Sequence, residues 1–161
     1  MQTFLPYESF RKSAAVLDDK RLGKQRVEVL QILNALLDDE STGWKNHPAV
    51  KMWEGHEAVL GFYGDCICRE WQNRGFKDTC RDKIATKLRT SEKTVKQMLA
   101  YKAMSMSSGR ELDELMMPSF VGDEKFHASH RSNLLRKDPE WYGMFGWEES
   151  DDLEYYWPRR S

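Results

Sequence analysis

The sequence has no long apolar run and few cysteines, and each shortage excludes a class of protein. No apolar stretch approaches the roughly 18 residues of a membrane-spanning helix, so we expect no membrane partner. Three cysteines, an odd number, do not form the disulfide framework of a small secreted protein. The first residues lack the basic region and apolar stretch of a signal peptide. These absences predict a protein of the reducing cytoplasm.

Common motifs of cofactor and metal chemistry are also missing. The sequence has no phosphate-binding glycine loop, no zinc-protease motif and no nucleophile elbow. Cys66, Cys68 and Cys80 do not show the paired ligand spacing of a structural zinc site. We therefore expect a protein that uses neither a metal nor another cofactor.

The residues that are present predict a helical protein. With 161 residues, 40% of them hydrophobic and 32% charged, the chain fits a single globular domain over residues 1–161. Helical spacing of apolar residues predicts helices over residues 13–37, 48–74 and 91–104, the first closed by residues 38–43. Beyond Gly109 the pattern is irregular, and no alternating strand pattern is visible. The expected fold is all-α: a single compact domain of three or more helices with a long aromatic-rich C-terminal segment.

Charge is distributed unevenly along the chain. The formal net charge is −1, but residues 1–110 carry 19 Lys and Arg against 14 Asp and Glu, and residues 111–161 carry 6 against 12. Residues 69–102 alone hold ten basic and four acidic side chains. This excess suits either a phosphate backbone or the solvated face of a helix.

Glu28 is the first candidate for chemistry. On the predicted helix it shares a face with Arg21, Lys24 and Gln25. A carboxylate held among cations can act as a general acid or base, or stabilise a developing cation. The alternative is an ordinary surface ion pair between Lys24 and Glu28.

Other polar residues suggest DNA contacts. His56, after Gly55, is either a core or rim histidine or a contact to sugar or phosphate. Residues 126–133 concentrate hydrogen-bond donors, which either bind phosphates and base edges or pack an irregular segment. The candidate DNA contacts in that run are His130, Arg131 and Asn133.

Three blocks follow one another along the chain. They comprise residues 17–22 leading to Glu28, then His47 and Pro48 through Gly55 and His56 to residues 74–76, then residues 120–123 through 138–143. In order and spacing the blocks resemble the pyrimidine-dimer DNA glycosylase (endonuclease V) family of phages and bacteria. The resemblance covers most of the chain and is weak over residues 77–118 and the last dozen.

The resemblance implies an all-helical, metal-independent glycosylase and abasic-site lyase that acts on double-stranded DNA without an obligatory protein partner. In the family the free α-amine of the chain attacks C1′, expels the base and leaves an imine. A glutamate matching Glu28 then assists sugar opening and β-elimination. An α-amine has a pKa of about 7.7–8.0, against about 10.4 for lysine, so more of it is unprotonated at neutral pH. Arg21, Lys24, Arg26, His56 and Arg131 are then expected to bind DNA.

The sequence departs from the family at the amine. Position 2 is Gln2 where the phage enzyme of the family has a small residue, so the nucleophile is the amine of Met1 or Gln2, a lysine such as Lys20 or Lys24, or absent. Val27 stands where the family has arginine, and Arg21 replaces a histidine. The leading hypothesis is a glycosylase with abasic-site lyase activity on damaged or modified pyrimidines. The alternatives are an N-glycosidase for free nucleosides or nucleotides and a non-catalytic DNA-binding module.

Overall fold

The computed structural model describes residues 1–38, 43–108 and 117–158. Every regular element within these ranges is helical, which confirms the all-α prediction. The α-helices are α1 (Phe10–Val16), α2 (Asp19–Leu37), α3 (Pro48–Lys51), α4 (Glu57–Asn73), α5 (Cys80–Arg89), α6 (Glu92–Ser108), α7 (Glu124–Lys137) and α8 (Pro139–Tyr142), with 3₁₀ turns at Gly43–Asn46 and Gly143–Phe145. None of the described helices is long and apolar enough to cross a membrane.

The first predicted helix, over residues 13–37, is two helices. Leu17 and Asp18 have extended backbone between α1 and α2, and the Asp18 carboxylate accepts from the Arg21 amide at 3.4 Å. Aspartate is among the best N-cap residues, so this cap begins a new helix despite continuous apolar spacing. Of the stop predicted at residues 38–43, positions 39–42 lie outside the described residues.

The second predicted helix is also divided, and three helices, α5, α7 and α8, were not predicted. Gly55 separates α3 from α4 with a φ of +85°, a conformation that glycine adopts without strain. The third prediction is confirmed by α6, where the Ser91 hydroxyl accepts from the Thr94 amide. No prediction covered α5. The irregular chain expected beyond Gly109 is wrong for α7 and α8; residues 109–116 lie outside the described part.

Helix α2 packs against α4 and α5 to form the centre of the core. The approach to α4 is close: a Cβ at Gly64 would lie 2.8 Å from Val29 Cγ1 and 3.1 Å from Ile84 Cδ1. Trp53 and Tyr63 are the largest fully buried side chains of this core. The close packing holds α2 rigidly, and α2 carries Glu28.

The first and the last described segments of the chain lie against α7. The N-terminal segment, residues 1–6, is extended and largely buried between α7 and the pair α2 and α4. The C-terminal segment, residues 146–158, has no helix, and its backbone forms hydrogen bonds with side chains of α7. The Leu153 amide donates to Ser132 Oγ at 3.0 Å, and the Tyr156 amide donates to Ser129 Oγ at 3.1 Å. This segment is the predicted long, aromatic-rich C-terminal segment.

Candidate active site

The amide of Gln25, on α2, joins the N-terminal segment to Glu28. Its Nε2 donates to the Gln2 carbonyl at 2.7 Å and to Glu28 Oε2 at 2.6 Å. Its Oε1 accepts from the Phe4 amide at 2.9 Å. The Tyr63 hydroxyl lies 2.8 Å from that Oε1 and 2.7 Å from the Phe4 carbonyl, so its proton is shared between two acceptors. One buried side chain therefore fixes both the first residues and the candidate carboxylate.

Two histidines of α7 hold the N-terminal segment from its other side. His127 Nδ1 donates to the Leu5 carbonyl at 2.8 Å, since its Nε2 accepts from the Gly122 amide at 2.9 Å. His130 Nδ1 accepts from the Leu5 amide at 2.9 Å. Burial lowers the pKa of both rings, and the pKa of His130 falls to about 3. Both histidines are therefore neutral at physiological pH and serve as fixed hydrogen-bond partners of the backbone.

Arg131 and Asn133 also donate their hydrogen bonds to groups within the protein. Arg131 donates to the Pro6 carbonyl at 2.8 Å and pairs with Glu149 at 2.6 Å and with Glu124. Asn133 Nδ2 donates to the carbonyls of Ser129 and Leu153. His130, Arg131 and Asn133 are all buried. For this run the geometry favours the packing interpretation over contact with DNA.

Glu28 itself keeps an unblocked oxygen. Its Oε2 receives the Gln25 hydrogen bond, whereas its Oε1 lies 3.7 Å from Lys24 Nζ, an ion pair beyond hydrogen-bond distance. The Lys24 side chain is 72% exposed and that of Glu28 is 8% exposed. The expected neighbours on one helical face are thus found together, with Gln25 as the closest partner. A surface ion pair alone does not describe a carboxylate that is this buried.

The other two predicted cations of α2 are paired elsewhere. Arg21 Nη1 lies 3.2 Å from Asp18 Oδ1, and its side chain stays partly accessible beside Lys24. Arg26 Nη1 lies 2.6 Å from Asp78 Oδ1, and its guanidinium sits 4.4 Å from the Trp71 ring centre. Arg26 is therefore part of the packing between α2, α4 and α5, on a different side of the helix from Glu28.

Two rings, His47 and Tyr155, lie within electrostatic reach of Glu28. Partial burial lowers the pKa of His47, and the N-terminal ammonium lowers it further while Glu28 opposes both. Burial raises the pKa of Tyr155 to about 12, with charge effects from Arg136, Glu28 and Arg21. The charges of the N-terminal ammonium and of Glu28 thus both act on His47, and the charge of Glu28 also acts on Tyr155. The sequence pattern alone assigns His47 no role, since only the folded chain brings it beside α2.

A family model matches a range of the chain that contains the hydrogen-bond network of Gln25, Glu28 and Tyr63 on α2 and α4. A model described as pyrimidine dimer DNA glycosylase matches residues 1–84 of the 161. The chain belongs to this family. No curated protein and no solved structure matches this chain. The resemblance predicted from the sequence is confirmed; its third block, residues 120–143, lies outside the matched range.

In this pyrimidine dimer DNA glycosylase family member, His56 lies at a separate cavity. The cavity has a volume of about 1160 Å³, and its lining includes Gly55, His56 and Lys93 but neither Glu28 nor Met1. Burial lowers the pKa of His56. Its predicted contact with sugar or phosphate remains a prediction.

The three cysteines are buried and free. Burial raises the pKa of the Cys66 thiol to about 11 and that of Cys68 well above its ordinary range. Thiols that resist ionisation are poor nucleophiles and poor metal ligands. Across residues 1–38, 43–108 and 117–158, no three His, Cys, Asp or Glu side chains gather as a metal site.

Proposed function

We propose that the protein is a DNA glycosylase with abasic-site lyase activity, acting on pyrimidine dimers or other damaged pyrimidines in double-stranded DNA. The observation that carries the proposal is the Gln25 amide, which holds the Gln2 carbonyl and the Glu28 carboxylate at once. The arrangement keeps an amine-bearing terminus and a general acid or base in a fixed relation. Membership of the pyrimidine dimer DNA glycosylase family supports the same chemistry.

The reaction we propose has two stages. The terminal amine attacks C1′ of the damaged nucleotide, the C1′–N1 bond breaks, and the base leaves with the bonding pair. Opening of the sugar ring then gives an imine between the amine and C1′. Glu28, through its unblocked Oε1, assists ring opening and takes a proton from C2′, after which the C3′–O bond to phosphate breaks. This β-elimination cuts the strand.

The amine we assign is that of Met1. The residues after it are held by Gln25, Tyr63, His127 and His130, so the terminus is positioned before any substrate binds. Pre-positioning of a reacting group is a large source of rate enhancement. The other nearby amine, that of Lys24, ends a long and mostly exposed side chain. A lysine adduct would therefore be the unexpected result.

The proposed DNA-contacting cations are Arg21 and Lys24, which flank Glu28 on one face of α2 and remain accessible. Arg26, His130, Arg131 and Asn133 are left out because their donors are used within the protein. Phosphate contacts from exposed cations make DNA binding salt-dependent.

The test is imine trapping. Untagged protein is incubated with an abasic-site duplex and borohydride, and the covalent adduct is mapped by mass spectrometry. We expect the adduct on the Met1 amine. Glu28→Gln, which keeps an acceptor for Gln25, should slow strand cleavage by about 100-fold, a typical effect of losing a general acid or base.

Glu57→Gln is the matched control, since Glu57 is as buried as Glu28 and accepts from the Gly55 amide at 3.1 Å, away from the site. It should cleave at the wild-type rate. The proposal is wrong if no adduct forms while duplex binding is intact, or if Glu28→Gln cleaves as fast as wild type.

A further inference from the structure

A row of aromatic rings runs beside the proposed site. The ring centres of Trp44 and His47 are 6.0 Å apart, those of His47 and Trp157 are 6.2 Å apart, and those of Trp157 and Tyr155 are 5.6 Å apart. Tyr155 in turn contacts His130, the ring that holds Leu5. The row therefore extends from the anchored N-terminal segment to the exposed indole of Trp44.

His47 is the imidazole in the exposed half of this row, and its proton position is fixed. Its Nδ1 accepts from the Ala49 amide at 3.0 Å, as the N-cap of α3. A neutral imidazole whose Nδ1 accepts carries its proton on Nε2. Within the described residues, no group accepts a hydrogen bond from that Nε2. Among the residues that the structure describes, His47 thus presents an unused N–H donor.

The charge state of His47 suits a hydrogen-bond donor that lies close to the N-terminal amine. Partial burial and the N-terminal ammonium both lower the pKa of His47, so the ring is neutral at physiological pH. A neutral imidazole can stabilise negative charge on a carbonyl oxygen without adding a second cation next to the ammonium. The same neighbourhood holds Glu28, whose effect on the ring is opposite.

We propose that His47 is a further catalytic residue, whose Nε2–H donates to a carbonyl oxygen of the departing pyrimidine while the indoles of Trp44 and Trp157 flank the base. This inference rests on the proposed function. When the C1′–N1 bond breaks, its electron pair leaves with the base and spreads onto the carbonyl oxygens. The donor stabilises that charge, the terminal amine forms the new bond to C1′, and the released base takes its proton from water.

Two variants separate the donor from the helix cap. In His47→Asn the side-chain oxygen still accepts from the Ala49 amide, because asparagine is a preferred N-cap, but the distal donor is gone. In His47→Gln an amide donor reaches about as far as Nε2, and the cap is lost. Thermal unfolding of each variant checks that the fold is kept.

The substrates are a duplex with one thymine cyclobutane dimer and a duplex with one abasic site. On the dimer duplex, glycosidic bond breakage is read as alkali-sensitive strand breaks. We expect His47→Asn to break this bond about 100-fold more slowly, the usual effect of losing one donor to a developing anion. His47→Gln should recover most of that loss. Both variants should cleave the abasic duplex at the wild-type rate, because no base leaves there.

Two outcomes would overturn the role of His47 alone. One is that His47→Asn breaks the glycosidic bond at the wild-type rate. The other is that His47→Asn loses rate equally on both duplexes, which would make His47 a positioning residue. Wild-type protein that breaks neither duplex would overturn the proposed function, and the inference with it. That failure is visible before any variant is compared.

Discussion

Acid should loosen the N-terminal segment, because the Leu5 amide is held by a histidine that has to stay neutral. His130 is fully buried, and burial together with the nearby His127 lowers its pKa from 6.5 to about 3. Protonation of Nδ1 would place an N–H donor against the Leu5 N–H donor and break the bond between them. The orphaned buried Nε2 of the same ring gives the charge no compensating partner.

The size of the effect follows from proton binding. As the pH falls through 6.5 the unfolded chain binds a proton at position 130, whereas the folded chain does not until about pH 3. The contribution of neutral His130 to the free energy of unfolding is therefore complete above pH 6.5 and is lost progressively as the pH falls towards 3. Between about pH 7.5 and about pH 5 the free energy of unfolding should drop by about 2 kcal/mol through this residue.

Urea unfolding at the two pH values measures this drop. His130→Asn is the comparison, since its side-chain oxygen can still accept from the Leu5 amide but does not titrate. The variant will be less stable at neutral pH because it lacks ring atoms, so the quantity compared is the change between pH values. If wild type and variant lose the same free energy, His130 is not a buried neutral histidine and the account of the anchored terminus is wrong.

Two matched pairs test the rest of the assignment. Lys24→Gln should reduce the slope of log affinity against log salt for duplex DNA by about 0.9, the value for one phosphate contact. Arg26→Gln should leave this slope unchanged and lower the free energy of unfolding by about 2 kcal/mol. Equal slopes in both variants would contradict the proposed DNA face. Gly64→Ala should cost about 1–3 kcal/mol by thermal unfolding, because its Cβ would meet the stiff Val29 side chain at 2.8 Å. Gly143→Ala, with nothing within 4 Å, should stay within about 0.5 kcal/mol, and a similar loss in both would refute the close packing of α2 and α4.

Local patterns predicted the parts of this protein whose stability is local. Apolar spacing was sufficient for α6 and for most of α2, and the face shared by Lys24, Gln25 and Glu28 follows from helical geometry alone. The break at Asp18 was readable in principle as an N-cap signal, but continuous apolar spacing concealed it.

The parts that could not be predicted depend on contacts between distant residues. Helix α7 buries histidine, serine, arginine and asparagine, which are usually exposed, so its pattern resembles that of a polar surface. Those side chains are satisfied by backbone groups of the two terminal segments, which lie far away in sequence. The role of Gln25 was hidden for the same reason, because its partners Gln2 and Phe4 precede it by more than 20 residues.

The anchoring of Leu5 by α7 also sets the order in which the site can be made. His127 and His130 are separated from Leu5 by 122 and 125 residues. During synthesis residues 1–6 leave the ribosome well before α7, which holds them from one side. Contacts this distant in sequence form late in folding. A growing chain therefore holds the N-terminal segment through α2 and α4 alone until α7 is complete, and the proposed site has both of its supports only after that point.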